Sequence, residues 1–274
     1  MTIGKCNPLC FHSLGSDPLG VHPLYMQRFS LYDHIIVQAV KEDISSVTCV
    51  AENVITGATT SFTPTNTALA DGSYVSTADV VGLSEGIYTV TLTYKGTDYV
   101  SEEFEVSDWH LSETILIEYT NSHNNTVFDN VFQESGIPVV FRLRLQGGFK
   151  PGGYQPQVEV STFRTQRQEL RVLYSVPYAK HQLTVGTAAG VPVETVELLN
   201  NILSLDTIYI DGVRYCRSEG EVPQKTQAMA GAQLFQVTAL LEKQENLQDY
   251  PNELYGDLGS FNDDYNDDYD VETP

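Results

Sequence analysis

The chain has 274 residues with a formal net charge of −21, and 41% of the residues are hydrophobic. This length accommodates one or two domains. Nucleic-acid binding depends on concentrated positive charge, which neither the body of the chain nor its C-terminal end provides. No stretch approaches the roughly 20 apolar residues that span a membrane.

The composition favours strands over helices. Val, Thr, Ile, Tyr and Phe are abundant, and these residues fit pleated, half-buried surfaces. The four cysteines, Cys6, Cys10, Cys49 and Cys216, are too sparse for a disulfide framework. The N-terminal residues also lack the apolar run of a signal peptide. We therefore expect a mainly β protein that is made in a reducing cytoplasm and has free thiols.

The N-terminal part divides into two segments. Residues 1–27 are rich in Gly, Pro and Ser without a sustained period, which predicts an irregular arm that gains order from a neighbouring subunit. Residues 28–107 consist of short alternating runs separated by turns, which predicts antiparallel strands. One face of the most regular run carries Tyr88, Val90, Leu92 and Tyr94.

The segment Leu83-Ser84-Glu85-Gly86-Ile87-Tyr88 resembles a pattern common in immunoglobulin-like and fibronectin-like modules. In such modules a tyrosine at this place pins the loop before its strand. About 80 residues of short strands also fit a small β-sandwich. The expected fold of residues 28–107 is therefore an immunoglobulin-like β-sandwich.

Residues 108–243 predict a second, mostly β domain. Alternating apolar residues mark strands at 115–120, 141–145, 158–160, 170–174 and 234–242. The three- and four-residue spacing of Val193, Val196, Leu199 and Ile202 predicts one amphipathic helix of about four turns. Asp211-Gly212 predicts a two-residue hairpin turn. The glycine-rich stretch 147–153 is interpreted as a flexible turn, because no helix follows to form a phosphate site.

The last segment, residues 244–274, has ten acidic residues and no Lys or Arg. Such a tail is expected to be disordered in isolation. Aromatic residues alternate with the acids, so the tail is either a solubilising end or an element that docks on a basic, partly apolar groove of a partner. The residues expected to contact that partner are Asp263, Asp264, Tyr265, Asp267, Asp268 and Tyr269. Calcium binding is an alternative for the aspartates, but the EF-hand pattern is absent.

Two further groups of residues were candidates for a site. Cys6, Cys10, His12 and His22 are residue types that hold zinc, but their spacing is unusual for a zinc site. The simpler interpretation is that they pack or stay exposed, and we expect no metal or cofactor. The only concentration of basic residues is Arg142, Arg144, Arg164, Arg167 and Arg171. Arg142 and Arg144 share one strand face, where they either pair with acids and stay solvated or contact an acidic partner subunit, such as another copy's tail.

No catalytic pattern such as G-x-S-x-G, H-E-x-x-H or a Walker loop occurs. The stretch from about Thr114 to Glu242 resembles a domain of virion proteins from bacteriophages that infect Bacteroidetes. The matching pieces are ILIEYTNSHNNTVFD, FRLRLQGGF, TFRTQRQELRVLYSVPYAKHQL and LLNNILSLDTIYIDGVRYCRSEG. The resemblance implies a non-enzymatic tail or neck component of a virion, as a ring, adaptor or tail-tip protein. It also implies contacts with other virion proteins and with copies of itself.

Two other classes stay open at this point. One is a bacterial surface or secretion-apparatus binding module with an immunoglobulin-like domain. The other is a glycan-cleaving tail enzyme, which requires a pair of carboxylates at a cleft. The sequence singles out no such pair, and the prediction is that the chain has no catalytic residues.

Overall fold

The computed structural model describes residues 1–13, 25–122, 126–134, 136–187, 190–227 and 234–244. Within these ranges the chain is mainly β, which confirms the fold class predicted from composition. The strands of the N-terminal part are β1 (Thr2–Ile3), β2 (Phe11–Ser13), β3 (Gln27–Phe29), β4 (Ile35–Lys41), β5 (Thr48–Asn53), β6 (Thr59–Phe62), β7 (Thr65–Ala68), β8 (Tyr74–Val80), β9 (Gly86–Tyr94), β10 (Thr97–Ser101) and β11 (Phe104–Val106).

A single-turn helix, α1 (His110–Glu113), leads into the C-terminal part. Its strands are β12 (Ile115–Thr120), β13 (Thr126–Val127), β14 (Asn130–Val131), β15 (Gln133–Glu134), β16 (Ile137–Pro138), β17 (Phe141–Leu145), β18 (Gly147–Arg164), β19 (Leu170–Val185), β20 (Thr207–Ile210), β21 (Val213–Arg217), β22 (Gln224–Gln227) and β23 (Phe235–Lys243). Helix α2 (Val193–Ile202) follows β19. No helix in the described ranges is long and apolar enough to cross a membrane.

The N-terminal strands form a sandwich. One sheet has the order β1-β4-β8-β7, and the facing layer contains β6, β5, β9 and β10 in that order. Residues of both layers belong to one buried cluster, including Val37 and Val80 from the first sheet and Ala51 and Val90 from the second. This arrangement of strands is that of an immunoglobulin-like sandwich, as the sequence predicts for residues 28–107.

The most regular strand follows its predicted pattern. Tyr88, Val90, Leu92 and Tyr94 of β9 are buried, and the threonines between them are partly exposed. The hydroxyl oxygens of Tyr88 and Ser84 lie 2.9 Å apart, within hydrogen-bond distance. The tyrosine therefore pins the loop before its own strand, as expected from the sequence pattern.

Residues 1–13 differ from the irregular arm predicted from sequence. They lie within the fold, where β1 pairs with β4 and β2 pairs with β10. The Asn7 side chain donates to the main-chain oxygen of Gln38 at 2.8 Å and accepts from its main-chain nitrogen at 3.0 Å. Strands of two and three residues are too short to show a period, so the sequence pattern missed them. Residues 14–24 of the predicted arm lie outside the described residues.

The C-terminal strands and helix α2 enclose a second buried cluster. Its sheet has the order β18-β19-β23-β21-β20-β12-β17. The predicted turn between β20 and β21 is confirmed, with positive φ at both Asp211 and Gly212. Helix α2 has ten residues, about three turns rather than the four predicted. The helical spacing of apolar residues continues past its end because Leu203 and Leu205 are buried outside the helix.

Strand β3 belongs to the ladders of both parts of the chain, and side-chain contacts such as that of Gln38 with Val131 also link them. Strand β3 pairs in parallel with β11 of the sandwich and antiparallel with β17 of the second sheet. Buried residues 29–106 belong mainly to the first cluster and residues 115–241 to the second. The predicted boundary between domains near residues 107 and 108 falls between these clusters and stays a prediction, because the sheet continues through β3.

Candidate protein–protein interface

The two longest strands in the described ranges form a hairpin that projects from the second sheet. Strands β18 and β19 pair from Gly147 with Val185 to Arg164 with Leu170. Strand β23 supports β19 only from Lys180 to Val185. The nine outer residues of β18, from Pro156 to Arg164, extend for roughly 30 Å. The outer part of the hairpin is therefore a two-stranded ribbon.

Both faces of this ribbon are exposed and rich in large apolar side chains. Leu173, with 66% of its surface exposed, is the extreme case. The exposed large apolar residues of the ribbon, called here the hairpin patch, are Val158, Val160, Phe163, Leu170, Val172, Leu173, Tyr174 and Val176. Monomeric soluble proteins rarely expose a contiguous apolar patch of this kind, and a two-stranded ribbon alone is marginally stable in water. The hairpin patch therefore has the properties of a docking surface.

The tip of the hairpin is an ordered turn. The main-chain nitrogen of Gln168 donates to the oxygen of Thr165 at 2.9 Å, and the nitrogen of Thr165 donates to the oxygen of Glu169 at 2.9 Å. Gln168 has a φ of 65°, which is typical of the last residue in a three-residue hairpin loop. Along the ribbon, the Tyr174 hydroxyl donates to Glu159 at 2.7 Å, and this hydrogen bond raises the pKa of the tyrosine.

The root of the hairpin is packed tightly. A Cβ atom at Gly147 would lie 2.2 Å from the main-chain oxygen of Thr184, so the close approach of the two strands requires glycine. The Phe149 ring stacks on Tyr215 at 4.7 Å, and His181 meets both rings edge-on. The glycine-rich stretch is thus part of β18 and not the flexible turn predicted from sequence, because it pairs with β19 on both sides of a bulge.

The tip concentrates positive charge on an acidic chain. Arg164, Arg167 and Arg171 lie within eight positions of one another, with Glu169 between them. The Arg164 guanidinium donates to the main-chain oxygen of Gln168 at 3.3 Å, and Arg171 lies 3.9 Å from Glu169. These contacts are exposed and weak. The three guanidinium groups therefore remain accessible to an acidic partner.

Arg142 and Arg144, which the sequence predicts to share one strand face, differ in their burial. Arg142 forms a half-exposed ion pair with Glu118 at 2.9 Å. Arg144 is buried, with 7% of its side chain exposed, and contacts both oxygens of the Asp33 carboxylate, one of them at 3.0 Å. The expectation of a solvated or partner-facing Arg144 is corrected, because its guanidinium is enclosed within the chain. A partner contact at Arg142 stays a prediction.

The zinc candidates are not assembled into a described site. Cys6 is buried, and its main-chain nitrogen donates to Asn130 Oδ1 at 2.7 Å. Burial raises the pKa of its thiol to about 12, which opposes the thiolate that zinc requires. Burial also raises the pKa of Cys10, and His12 Nε2 lies 3.5 Å from Glu102 Oε1. His22 lies outside the described residues, and among the described ones no three His, Cys, Asp or Glu cluster to hold a metal.

All four cysteines are free thiols in the structure. The predicted partner-contact residues of the tail, from Asp263 to Tyr269, lie outside the described residues. Their expected role in docking therefore stays a prediction.

The sequence interpretation missed the exposure of the hairpin. The alternation of its residues predicts ordinary strands of the second domain. The signal available in the sequence is that strict alternation places Val172 and Tyr174 on one expected face and Leu173 on the other, so that both expected faces are apolar. A strand with two apolar faces is normally buried on both sides. Here the described part of the chain covers neither face.

No protein-family model matches the chain, and no curated protein matches it. Among solved structures, the crystal structure of Dpr2 Ig1-Ig2 in complex with DIP-Theta Ig1-Ig3 is 8% identical in sequence, and the match covers 88% of this chain and 92% of that one. Its TM-score is 0.18, too low to carry an argument about this protein.

Proposed function

We propose that this chain is a non-enzymatic structural subunit that assembles in several copies in the tail or neck of a bacteriophage virion. The observation that carries the assembly role is the projecting hairpin with apolar side chains on both faces. The assignment to a bacteriophage rests on the resemblance of residues 114–242. The partners are then copies of the same chain and other virion proteins.

The size of the hairpin patch supports a stable contact. Full burial of one large apolar side chain favours association by about 1.5–3 kcal/mol. Association itself costs on the order of 4–15 kcal/mol in lost freedom of motion. Because the patch residues are 46–66% exposed, covering each one gains only about half of that amount, and most of the eight residues must be covered to offset the cost. The patch therefore fits a subunit contact better than a weak encounter.

The experiment that tests the proposal removes the ribbon and keeps its root. Residues 158–177 are replaced by Asn-Gly, so that Gln157 and Tyr178, which pair in the native register, flank a two-residue turn. The core should be unaffected, because the deleted residues are exposed or at most partly buried. Sedimentation over a range of concentrations should show multiple copies for the full chain and a monomer for the shortened one.

A matched control changes exposed apolar residues elsewhere. Val54→Ser and Ile55→Ser lie in the sandwich, where both side chains are exposed, and this variant should assemble normally. Mass spectrometry of purified phage particles should also detect the full chain in several copies. A shortened chain that assembles like the full one would overturn the proposal. A full chain that is monomeric at every concentration and absent from particles would instead favour the surface-module alternative.

A further inference from the structure

A second exposed patch lies on the turn between the two buried clusters. The residues Ser107–Glu113, called here the acidic turn, include Trp109, the only tryptophan of the chain. Trp109 is 73% exposed, and Leu111 is also exposed. Tryptophan is enriched among the residues that dominate binding energy at protein interfaces. Its exposure on a folded turn therefore marks a candidate docking site.

The acidic turn is held in a defined conformation. The main-chain nitrogen of His110 donates to the main-chain oxygen of Ser107 at 3.3 Å, and the main-chain nitrogen of Leu111 donates to the main-chain oxygen of Asp108 at 3.2 Å. Glu85 accepts from the main-chain nitrogen of Asp108 at 3.3 Å. The turn therefore presents Trp109 on a fixed backbone, which lowers the entropy lost on binding.

Carboxylates outnumber cations in the described contacts of this turn. Asp108 and Glu113 belong to the turn, and Glu85 and Glu105 contact it from the sandwich. Glu105 lies 3.2 Å from His110. The guanidinium of Arg28 lies 3.8 Å from Glu113. Four carboxylates thus face one permanent cation, and the patch combines apolar surface with negative charge.

We propose that the acidic turn of one copy receives the hairpin tip of a second copy. The tip supplies three arginines and the apolar side chains of Phe163 and Leu170, and the turn supplies the complementary carboxylates and Trp109. A guanidinium over the tryptophan face adds a cation–π attraction. This inference rests on the proposed function and names the surface that the hairpin binds.

The two patches lie on different parts of the same chain. A Cβ atom at Gly148 would lie 3.7 Å from the Ile115 side chain, so the root of the hairpin lies next to β12, which follows the acidic turn. The tip with its three arginines lies beyond the root by the roughly 30 Å length of the ribbon. A contact between two different patches is heterologous, and it closes into a ring when the rotation between copies permits. The pair of patches therefore generates a head-to-tail assembly.

The test is an exchange of charges between copies. One variant carries Arg164→Glu, Arg167→Glu and Arg171→Glu, and a second carries Asp108→Lys and Glu113→Lys. Each alone places like charges on both patches and should lose assembly. An equimolar mixture restores opposite charges at every contact and should recover assembly, with the two variants alternating. One variant carries a tag, so the mass of the assembly formed in the mixture shows whether both variants are present in equal numbers.

Trp109→Ala supplies an independent readout, since it removes the aromatic contact without changing charge. We expect at least a tenfold weaker association by sedimentation, with unchanged unfolding because the ring is exposed. Ile55→Ala, another exposed apolar position, is the matched control, and Glu52→Lys with Glu219→Lys is the charge control. Both controls should assemble normally.

The outcomes separate this inference from the proposed function. If the shortened hairpin abolishes assembly while Trp109→Ala and the acidic-turn variant assemble normally, the acidic turn is not the docking site and the proposed function stands. If deletion of residues 245–274 abolishes assembly and Trp109→Ala does not, the hairpin binds the tail of another copy, which also overturns this inference. Failure of the mixture to recover assembly contradicts it as well.

Discussion

At the scale of single residues, Arg142 and Arg144 show how neighbours on one strand differ. They are two positions apart on β17, yet one forms a half-exposed pair with Glu118 and the other a buried pair with Asp33. A buried ion pair loses hydration when it forms, so removal of one partner leaves an uncompensated charge in the interior. Removal of one partner from an exposed pair costs little free energy of unfolding, because water solvates the remaining charge.

Arg144→Met should therefore lower the free energy of unfolding by about 3–5 kcal/mol, and Arg142→Met by no more than about 1 kcal/mol. Equilibrium unfolding in urea measures both. The double variant Arg144→Met with Asp33→Leu removes both charges and should recover much of the lost stability. Equal effects of the two single arginine variants would contradict the difference in burial.

His181 predicts a pH dependence at the hairpin root. Burial, and secondarily the charge of Lys243, lower its pKa below the ordinary value of 6.5. The folded protein therefore favours neutral imidazole, while the unfolded chain takes up a proton more readily. The resulting contribution to stability is complete above about pH 6.5 and is lost as the pH falls through the lowered pKa.

This contribution is measured by comparing the free energy of unfolding of the native chain with that of His181→Gln at several pH values between 7.5 and 5. The native chain should lose more stability on acidification than the variant, which lacks the titrating group. The comparison cancels the effect of the carboxylates, because both proteins contain them. Parallel curves for the two proteins would show that His181 does not contribute.

At the scale of elements, the N-terminal strands depend on side-chain contacts more than on their length. Asn7 bonds both main-chain groups of Gln38, and Asn130 donates to the Asn7 side chain at 3.0 Å. All three residues are buried. The Gly4 main-chain nitrogen also donates to the Gln38 oxygen at 3.1 Å, so the Asn7 amide supplements main-chain pairing just past the end of β1.

Asn7→Ala leaves the buried main-chain nitrogen of Gln38 without this acceptor, whereas the Gln38 oxygen keeps the main-chain nitrogen of Gly4 as a donor. We expect a loss of about 1–3 kcal/mol in the free energy of unfolding. Lys5→Ala is the matched control, because the Lys5 side chain is mostly exposed and its removal should cost much less. Urea unfolding of both variants measures the two losses in free energy of unfolding. Equal losses for Asn7→Ala and Lys5→Ala would mean that the Asn7 side chain makes no specific contribution to stability.

The elements that the sequence predicted correctly are those with a clear period or a demanding turn. Strand β9, helix α2 and the Asp211-Gly212 turn belong to this group. Strand β8 was missed because Ser76, Thr77 and Asp79 interrupt its apolar residues. The ion pair of Asp33 and Arg144 joins residues 111 positions apart, and no local pattern records such a contact.

The hairpin patch was predicted as strands but not as a surface. Period-2 alternation reports which side chains share a face, and it does not report whether another element covers that face. The three tip arginines were identified from sequence as basic residues, but their presentation at the end of an exposed ribbon depends on the paired length of β18 and β19. The two strands stay paired from Gly147 with Val185 to Arg164 with Leu170. Composition does not indicate how far two strands remain paired.

At the scale of the whole molecule, we predict that the body folds without the acidic tail. The last described strand ends at Lys243, and the tail hypothesis assigns residues beyond it to docking on another virion protein. Deletion of residues 249–274 should leave the unfolding of the body unchanged. Docking predicts that the truncated chain enters particles poorly and that high salt weakens attachment of the full chain.

Quantitative mass spectrometry of particles, made with full and truncated chains in competition, measures incorporation. A chain with its acids at 263–268 changed to Asn and its aromatic residues kept is the matched variant for the charge contribution. Normal incorporation of the truncated chain, with unchanged sensitivity to salt, would leave the tail only a solubilising role.

The joint between the two buried clusters has a mechanical consequence. Strand β3 has only three residues, but it is not the sole connection. The Gln38 side chain of the sandwich donates to the Val131 main-chain oxygen at 3.0 Å and accepts from the Val131 nitrogen at 2.8 Å, and Cys6 of the N-terminal segment is buried in the second cluster. Under tension these contacts share the load with β3 and with the buried pair of Arg144 and Asp33. In a force-extension experiment the joint should therefore not open before the cores, and the two halves should give way in a single step.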